Sequence, residues 1–352
     1  MIAADLKGGY QVVAVDLNSD GKKDLIALAS GMSELVWFEN PGWRRHVIAS
    51  GLSRMINLTP VDVDGDEIPE LVLAADFSMD PGKSIGSVWR LKRKGDPREP
   101  WSIAEIDRLP ASHRLRCADI DGSGRKVVIN APLAGSKAAP PDFRDKVPIV
   151  SYRPGAWKRE LVSDELEGVL HGIAVVDWDR DGRDDLLTAG FQGIHLFRRG
   201  RDGRWSATRL AGGNPEQWPQ SGSSDIAAGR LGEDRFLCAI EPWHGNQVAV
   251  YRQHGQDWQR TVIDDSFVQG HTILAADLDG DGRDEILAGY RGQGHSVYIY
   301  SAAGDGRWTR RIIDDSVPVN ACDVADLNGD GRPDIACIGD ATLKWYENLG
   351  RK

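Results

Sequence analysis

The sequence predicts an all-β fold: a seven-bladed β-propeller whose ring is closed by an N-terminal strand that joins the last blade. Three observations lead to this prediction. A strand–loop–strand pattern occurs seven times, glycine is abundant (40 of 352 residues), and helix-period apolar stripes are absent. Successive copies begin roughly 46 to 58 residues apart, a spacing typical of propeller blades. We therefore expect one domain over residues 1–352, with blades that begin near residues 10, 56, 112, 170, 222, 270 and 319.

Each copy contains an apolar strand, an acidic glycine loop, a second apolar strand, an aromatic-rich strand and a strand that begins with tryptophan. Third strands include ELVWFENPG and TLKWYENLG, and fourth strands include WRRHVIAS and WTRRIIDDS. Only six fourth strands follow a third strand, whereas the opening MIAADL resembles HVIAS and IIDDS. We expect residues 1–6 to form the outer strand of the last blade, which would remove an exposed sheet edge. An open β-solenoid does not explain this displaced strand.

Five of the seven loops place side-chain oxygens at positions 1, 3, 5 and 9, as in calcium-binding loops. The predicted ligands are Asp16, Asn18, Asp20 and Asp24; Asp62, Asp64, Asp66 and Glu70; Asp177, Asp179, Asp181 and Asp185; Asp277, Asp279, Asp281 and Glu285; and Asp326, Asn328, Asp330 and Asp334. Carboxylates packed this closely repel one another without a cation. We predict up to five structural Ca²⁺ ions, each joining two strands at the edge of a blade.

This repeat resembles the FG-GAP or VCBS-type repeats of integrin α-chain propellers and of many bacterial proteins. The resemblance covers nearly the whole chain. It implies the propeller fold, but a fold shared by so many proteins does not define a function.

The innermost strands are expected to carry one layer of side chains near a mouth of the central channel. Six residues before the first position of each loop stand Tyr10, Ile56, His113, His171, Ser223, His271 and Asn320. Composition alone would place about 0.2 histidines in such a layer, and three are present. Convergent imidazoles bind Zn²⁺ or Mn²⁺. We therefore predict that His113, His171 and His271 are metal ligands or bases, with Tyr10 and His244 as further catalytic candidates. Alternatively, backbone carbonyls satisfy these imidazoles, which then only fill the channel.

The loops at the same mouth are rich in tryptophan, histidine and arginine. The candidate substrate-binding residues are Arg114, Trp218, Glu241, Trp243, Tyr290, Arg291, His295 and Asn320. Aromatic faces stack on sugar rings, and cations bind a carboxylate or an enolate. The predicted ligand is a sugar or an oligosaccharide.

Propellers with these repeats and channel histidines resemble the propeller of aldos-2-ulose dehydratases and the polysaccharide lyases that cut rhamnose–glucuronate bonds. The resemblance implies elimination of water or of a glycosyl group beside a keto or uronate group, with a metal in the pocket. The function predicted is a metal-assisted carbohydrate lyase or dehydratase that performs β-elimination. The alternative is a non-catalytic, calcium-stabilised propeller that binds carbohydrate or protein. No Ser-His-Asp order or carboxylate pair indicates a hydrolase.

Composition excludes several other classes. A net charge of −10 argues against a nucleic-acid binder, and no stretch of about 18 apolar residues indicates a membrane span. The four cysteines lack CxxC spacing, so buried free thiols are expected. The N-terminus has no leader-like pattern, which leaves both a cytoplasmic protein and an exported protein with its leader removed as possibilities.

Overall fold

The structure is a computed structural model that describes residues 1–304 and 306–350. Within these residues the chain forms 27 β-strands and one 3-10 helix, Pro81–Lys83. The strands assemble into seven separate antiparallel sheets, the blades of a propeller. The predicted all-β fold with seven blades is therefore confirmed.

The first three blades have four strands each. Blade 1 contains β1 (Gly9–Val15), β2 (Asp24–Ala29), β3 (Glu34–Glu39) and β4 (Arg44–Ser50). Blade 2 contains β5 (Asn57–Val61), β6 (Glu70–Ala75), β7 (Ser87–Lys92) and β8 (Ser102–Arg108). Blade 3 contains β9 (Ser112–Ala118), β10 (Val127–Pro132), β11 (Ile149–Tyr152) and β12 (Arg159–Ser163).

The remaining blades complete the ring. Blade 4 contains β13 (Leu170–Val176), β14 (Asp185–Gly190), β15 (Gly193–Arg199) and β16 (Trp205–Ala211). Blade 5 contains β17 (Asp225–Leu231), β18 (Asp234–Glu241), β19 (Gln247–His254) and β20 (Asp257–Asp264). Blade 6 contains β21 (Gly270–Ala276), β22 (Glu285–Tyr290), β23 (Ser296–Ala302) and β24 (Trp308–Asp314). Blade 7 contains β25 (Ala321–Ala325), β26 (Asp334–Gly339) and β27 (Thr342–Tyr346).

Strands follow one another in chain order within each blade, and the first strand of each blade lines the channel. Residues 1–6 run beside β27. Ala3 pairs with Leu343 in an isolated antiparallel bridge, and the N–H groups of Ile2 and Leu6 donate to the carbonyls of Leu343 and Ala341 at 2.8 and 2.9 Å. The contact is thus a bridge with flanking hydrogen bonds rather than a regular strand.

The apolar core lies between neighbouring blades. Trp37 of blade 1 belongs to the same buried cluster as Leu71 of blade 2, and Val12 of blade 1 shares a cluster with Ile338 of blade 7. A blade has two apolar faces, so it needs a neighbour on each side to bury both. This packing holds the inner strands in a ring and sets the shape of the channel.

The acidic loops connect the first and second strands of the blades and make internal hydrogen bonds. The carboxylate of Asp16, at the first position, accepts the N–H of Gly21 at 2.9 Å and so stabilises the turn of the loop. The buried Asp24, at the ninth position, accepts the N–H groups of Leu17 and Asn40 at 3.0 and 2.8 Å and fastens the loop to its strands. Three loops hold carboxylate oxygens within 4.8 Å of one another: Asp62, Asp64 and Asp66; Asp177, Asp179 and Asp181; and Asp277, Asp279 and Glu285.

Two of the four cysteines form a disulfide. Cys322 of β25 and Cys337 of β26 stand directly opposite one another, with Cα atoms 4.1 Å apart. The expectation of free thiols is wrong for this pair, because strand register and not sequence spacing makes them neighbours. Cys117 and Cys238 are free.

Candidate active site at the channel mouth

Four inner strands bring their second residue to the same level of the channel. These residues are Tyr10 in β1, His113 in β9, His171 in β13 and His271 in β21. None of the three histidines is more than 2% exposed. Each of these strands starts at the same mouth, and strand residues alternate between faces, so equal positions give equal depth.

The polar atoms of this layer converge. Tyr10 Oη lies 3.2 Å from His113 Nε2 and 3.4 Å from His271 Nε2. The ring centroids of His113 and His171 are 4.9 Å apart, and those of His171 and His271 are 5.2 Å apart. The structure therefore brings together the three histidines singled out in the sequence.

A fourth imidazole, His244, enters this pocket from the loop between β18 and β19. Its Nε2 lies 3.2 Å from His171 Nε2, and one ligand nitrogen from each of His171, His244 and His271 lies within 4.8 Å of the others. On a tetrahedral Zn²⁺, with Zn–N of about 2.0–2.1 Å, two imidazole nitrogens are separated by about 3.3 Å. These three residues, and not the predicted set with His113, form the group of ligand nitrogens that lie close enough to share one ion. The Nε2 atom of His113 faces Tyr10 and a guanidinium.

That guanidinium belongs to Arg114, which is buried. It donates to Nε2 of His113 at 3.2 Å and to Nε2 of His171 at 3.3 Å. Its carbon also lies 5.8 Å from the centroid of the Tyr10 ring. A fixed positive charge thus stands within the layer of imidazoles.

A second arginine, Arg291, borders the pocket at the end of β22. It donates to Asn320 Oδ1 at 3.0 Å and to Gln269 Oε1 at 3.2 Å, and it approaches His244 Nδ1 at 3.4 Å. These acceptors are all neutral groups. Gln269 was not singled out in the sequence, although it stands only two residues before His271.

Burial lowers the pKa of all four imidazoles. The charge of Arg114 lowers the pKa of His113 and His171 further, so that both lie well below the usual value. Burial and then the neighbouring His244 lower the pKa of His271, while burial and then the charge of Arg291 bring that of His244 to about 3. The four rings are therefore neutral at neutral pH and keep a nitrogen lone pair.

The outward-facing Nδ1 atoms have different partners. His271 Nδ1 donates to the backbone carbonyl of Asn320 at 2.6 Å, and His171 Nδ1 lies 3.2 Å from Ser224 Oγ. His113 Nδ1 is buried without a hydrogen-bond partner among the described residues. The blade-5 residue that meets the histidines is thus Ser224, one residue after the position read from the repeat, because the decayed fifth loop left that register poorly defined.

Other predicted residues lie apart from the imidazoles. Glu241 is fully buried inside blade 5, where it accepts hydrogen bonds from Ser223 at 2.7 Å and Arg260 at 2.7 Å and contacts the hydroxyl of Tyr251. Ile56 belongs to an apolar cluster between blades 2 and 3. Both side chains are therefore buried within the fold and lie apart from the imidazoles.

The two candidate tryptophans, Trp243 and Trp218, also have different surroundings. Trp243 stacks near His244 with ring centroids 4.8 Å apart, and its buried Nε1 has no partner among the described residues. Trp218 lies under the guanidinium of Arg144 at 3.7 Å and donates its Nε1–H to the Asp142 carbonyl at 2.8 Å. Trp243 therefore lies beside an imidazole of the pocket, whereas Trp218 packs against Arg144 and Phe191.

Tyr290 and His295 lie in and beside the blade-6 loop. The Tyr290 hydroxyl donates to the carbonyl of Gly294, and its ring packs 4.7 Å from that of Phe267. The backbone N–H of His295 donates to Gly292 at 3.0 Å. These contacts hold the loop that precedes β23.

A cavity of about 470 Å³ continues from this layer into the channel. It reaches from Tyr10 and Asn320 to Val176, the last residue of β13, and Ala275, the last but one of β21. Every blade contributes its inner strand to this cavity. Tyr10, Arg114, His271 and Asn320 are the residues of this layer that line the cavity.

The fold defines the class of protein, a seven-bladed β-propeller, and two of its segments resemble FG-GAP-like repeats. A model of the FG-GAP-like repeat matches residues 16–73 and 277–337. No helix in the described ranges has the length and apolar character required to cross a bilayer.

The chain also resembles one carbohydrate enzyme in particular. The model of the aldos-2-ulose dehydratase β-propeller domain matches residues 85–254, a range that includes His113, His171 and His244 but not Tyr10 or His271. The chain is 26% identical to aldos-2-ulose dehydratase of Phanerodontia chrysosporium over 363 residues. This match covers 87% of the chain and only 38% of the length of that relative.

Solved structures resemble the fold at low sequence identity. An ancestral GH74 enzyme matches 98% of the chain with 45% of its own, at a TM-score of 0.65 and 10% identity. An Agrocybe aegerita lectin that recognises non-reducing terminal N-acetylglucosamine matches 96% of the chain with 94% of its own, at a TM-score of 0.55 and 15% identity. At these identities the two structures support the fold alone.

Proposed function

We propose that the chain is a carbohydrate-processing propeller, and that it acts as a lyase or dehydratase on a keto-sugar or a uronate-containing glycoside. The observation that carries this proposal is the convergence of four neutral imidazoles, Tyr10 and Arg114 at one channel mouth. The likeness to a dehydratase of keto-sugars supports the same chemistry.

The reaction is a β-elimination. The C–H bond beside the carbonyl or carboxylate breaks, its proton goes to a base, and its electron pair forms the new C=C bond. The C–O bond on the next carbon breaks, and its oxygen leaves with the bonding pair and takes a proton. Water or a sugar alcohol is released.

His113 and Tyr10 are suited to these proton transfers. Nε2 of His113 is the base once the substrate oxygen takes over the N–H that Arg114 donates to this nitrogen in the free site. His113 is assigned this role because it lies outside the set of three nitrogens gathered for a metal. Tyr10 Oη, 3.2 Å from that nitrogen, is the donor to the departing oxygen. The guanidinium of Arg114 stabilises the negative charge that develops on the substrate oxygen.

His171, His244 and His271 are the residues that would hold Zn²⁺ or Mn²⁺. A metal bound there would act as a Lewis acid and make the neighbouring C–H bond more acidic. At the border of the pocket, Trp243 and Arg291 are placed to contact the sugar ring and its polar groups.

Elimination can be followed through the ultraviolet absorbance of the new double bond, with keto-sugars and uronate disaccharides as substrates. We expect His113→Gln and Tyr10→Phe each to lower kcat by about 10²- to 10⁴-fold, the usual effect of losing a general acid or base. His254→Gln, at an exposed end of β19, is the matched control and should keep full activity.

Circular dichroism and the thermal midpoint establish that each variant is folded. Full activity in folded His113→Gln and Tyr10→Phe would show that the site is assigned incorrectly. Sugar binding by the wild-type chain without any turnover would instead support the non-catalytic binding propeller.

A further inference from the structure

We propose that the pocket binds a sugar acid, and that Arg114 and Arg291 supply the positive charge that attracts its carboxylate. This inference rests on the proposed active site and narrows the substrate to its uronate form. A neutral keto-sugar would leave both guanidinium groups without a counter-charge. The carboxylate is also the group beside which the C–H bond breaks during elimination.

Arg114 is a buried cation whose hydrogen-bond partners are neutral. It is 5% exposed, and it donates to Nε2 of His113 at 3.2 Å and to Nε2 of His171 at 3.3 Å. No carboxylate forms an ion pair with Arg114 in the part of the chain that the structure describes. A guanidinium does not lose its proton in a protein, and a buried charge without a charged partner is costly. Arg114 therefore favours an anion in the pocket.

Arg291 has surroundings of the same kind. It donates through Nη1 to Asn320 and through Nε to Gln269, at 3.0 and 3.2 Å. Its Nη2 lies 3.4 Å from Nδ1 of His244. These acceptors are neutral, and the second N–H of Nη1 and of Nη2 has no partner among the described residues. Two donors of Arg291 thus remain for a ligand.

Half-buried arginines elsewhere in the protein are paired with carboxylates. Nε of Arg260 lies 2.7 Å from Glu241, and Nη2 of Arg90 lies 2.6 Å from Glu70. Charge-assisted hydrogen bonds between nitrogen and oxygen are usually about 2.7–2.9 Å long. The bonds of Arg114 and Arg291 to neutral acceptors are longer, and an anion can replace one of them at little cost.

The charged side chains that line the cavity or contact the imidazoles have an excess of positive charge. They are Arg114, Arg116, Arg291, Asp225 and Asp323. Three guanidinium groups thus face two carboxyl groups, and burial raises the pKa of both Asp225 and Asp323, which favours their neutral forms. At least one positive charge is uncompensated. A metal ion on the imidazoles would add to this excess, so the inference does not depend on a metal.

A single carboxylate is the anion that suits this excess. It carries one negative charge, whereas a phosphate group carries about 1.5–2 at neutral pH. A guanidinium also matches a carboxylate in shape, because two parallel N–H groups can donate to its two oxygens. When a carboxylate oxygen accepts the N–H that Arg114 donates to His113, the Nε2 lone pair of His113 becomes free to remove the proton.

The primary test compares two probes that share one ring and differ in charge, methyl β-D-glucuronide and its methyl ester. Binding to the wild-type protein is measured by titration calorimetry. We expect the glucuronide to bind about 10- to 100-fold more tightly than the ester, the usual effect of a hydrogen bond to a charged group. D-glucose 6-phosphate should bind more weakly than the glucuronide.

Variants of Arg291 show whether this residue causes the preference. Arg291→Met should weaken glucuronide binding by about 10-fold and leave the affinity for the ester nearly unchanged, whereas Arg291→Lys should retain part of the preference. Arg311→Met removes an exposed arginine from β24 and should bind both probes as the wild type does. A purely structural role for Arg291 predicts an equal loss for both probes and no rescue by lysine.

The outcomes also separate this inference from the proposed function. Equal affinity for the glucuronide and its ester, tighter binding of the phosphate, or no binding of the glucuronide at millimolar concentrations overturns the inference. Dehydration of keto-sugars by a protein that shows no charge preference would leave the proposed function standing. A clear preference for the glucuronide in a protein that eliminates from none of the substrates would support the inference and contradict the lyase.

Discussion

The depth in the channel of a histidine at the second position of an innermost strand is fixed, because the neighbouring blades hold the strand in place. This is why His113, His171 and His271 lie in one layer although about 160 residues separate the first from the last. Side chains on loops have no such constraint. His244 reaches the same pocket through the blade-5 loop, and only its position in space identifies it as a neighbour of His171.

Single residues also explain how blades are fastened to one another. Asp264, at the end of β20 in blade 5, accepts hydrogen bonds from Tyr300 and Arg310 of blade 6, both at 2.7 Å. Asp107, at the end of β8 in blade 2, accepts equivalent bonds from Tyr152 and Arg159 of blade 3. These buried carboxylates link the outer strand of one blade to the following blade.

The Asp264 link predicts a loss of stability in acid. Burial alone would raise the pKa of Asp264, but hydrogen bonds from Ser266, Tyr300 and Arg310 outweigh it and lower this pKa. A carboxyl group whose folded pKa is depressed stabilises the protein above its unfolded pKa, about 3.9, and this contribution is lost as the pH falls through the folded value. We expect Asp264→Asn to flatten the decline in the free energy of unfolding below about pH 4, measured with urea at several pH values.

Tyr300→Phe tests the same link at neutral pH. Loss of a hydrogen bond to a charged group should lower the free energy of unfolding by about 1.5–3 kcal/mol. Thr309→Val, which removes an exposed bond on β24, is the control and should cost less than about 0.5 kcal/mol. Equal costs for the two variants would contradict a role for Tyr300 in joining the blades.

The loop between the first and second strands is the element that the repeat defines best. Its first and ninth positions have structural partners in the backbone, and its third and fifth positions are more exposed. Carboxylates gathered on one turn provide the oxygen ligands that Ca²⁺ prefers. We propose that the loops with the full pattern bind Ca²⁺ and thereby fasten two strands of a blade.

Calcium should raise the thermal midpoint of chelator-washed protein. A single site at 100 times its dissociation constant contributes about 2.7 kcal/mol, so several sites should give a clear shift. Asp179→Asn in blade 4 should reduce the shift, whereas Asp121→Asn, in a copy with Val127 at position nine, should leave it intact. An identical midpoint with calcium and with chelator would exclude a stabilising role for these loops.

At the scale of the whole molecule, stability depends on contacts between blades far apart in sequence. Leu6 is fully buried and belongs to the cluster that contains Val12 of blade 1 and Leu343 of blade 7. The segment at residues 1–6 therefore packs against the junction of the first and last blades. We propose that it closes the ring.

Leu6→Ala tests this closure. Removing a fully buried leucine side chain should lower the free energy of unfolding by about 2–5 kcal/mol. Leu349→Ala, 69% exposed near the other end of the described chain, should change it by less than about 0.5 kcal/mol. A small cost for Leu6→Ala would mean that residues 1–6 only cover the last blade without stabilising it.

Much of this architecture can be predicted from the sequence, because repeats, strand periodicity and loop spacing are local properties. Seven copies of one pattern predict seven blades, and a common register predicts which side chains share a level of the channel. The burial of Glu241 could not be predicted from such local patterns. A glutamate in a loop-like IEPWHGN motif suits a binding site, but β18 extends through it and buries it against Arg260.

The amino-acid sequence alone therefore determined the blade number, the acidic loops and the equal depth of Tyr10, His113 and His271. Only the tertiary structure decided that His244 completes a set of three nitrogens, that Arg291 faces its Nδ1, and that Ser224 meets His171. The physical reason is that these contacts join loops and strand ends of different blades. Their distances depend on loop length and on blade packing, which no local pattern of residues encodes.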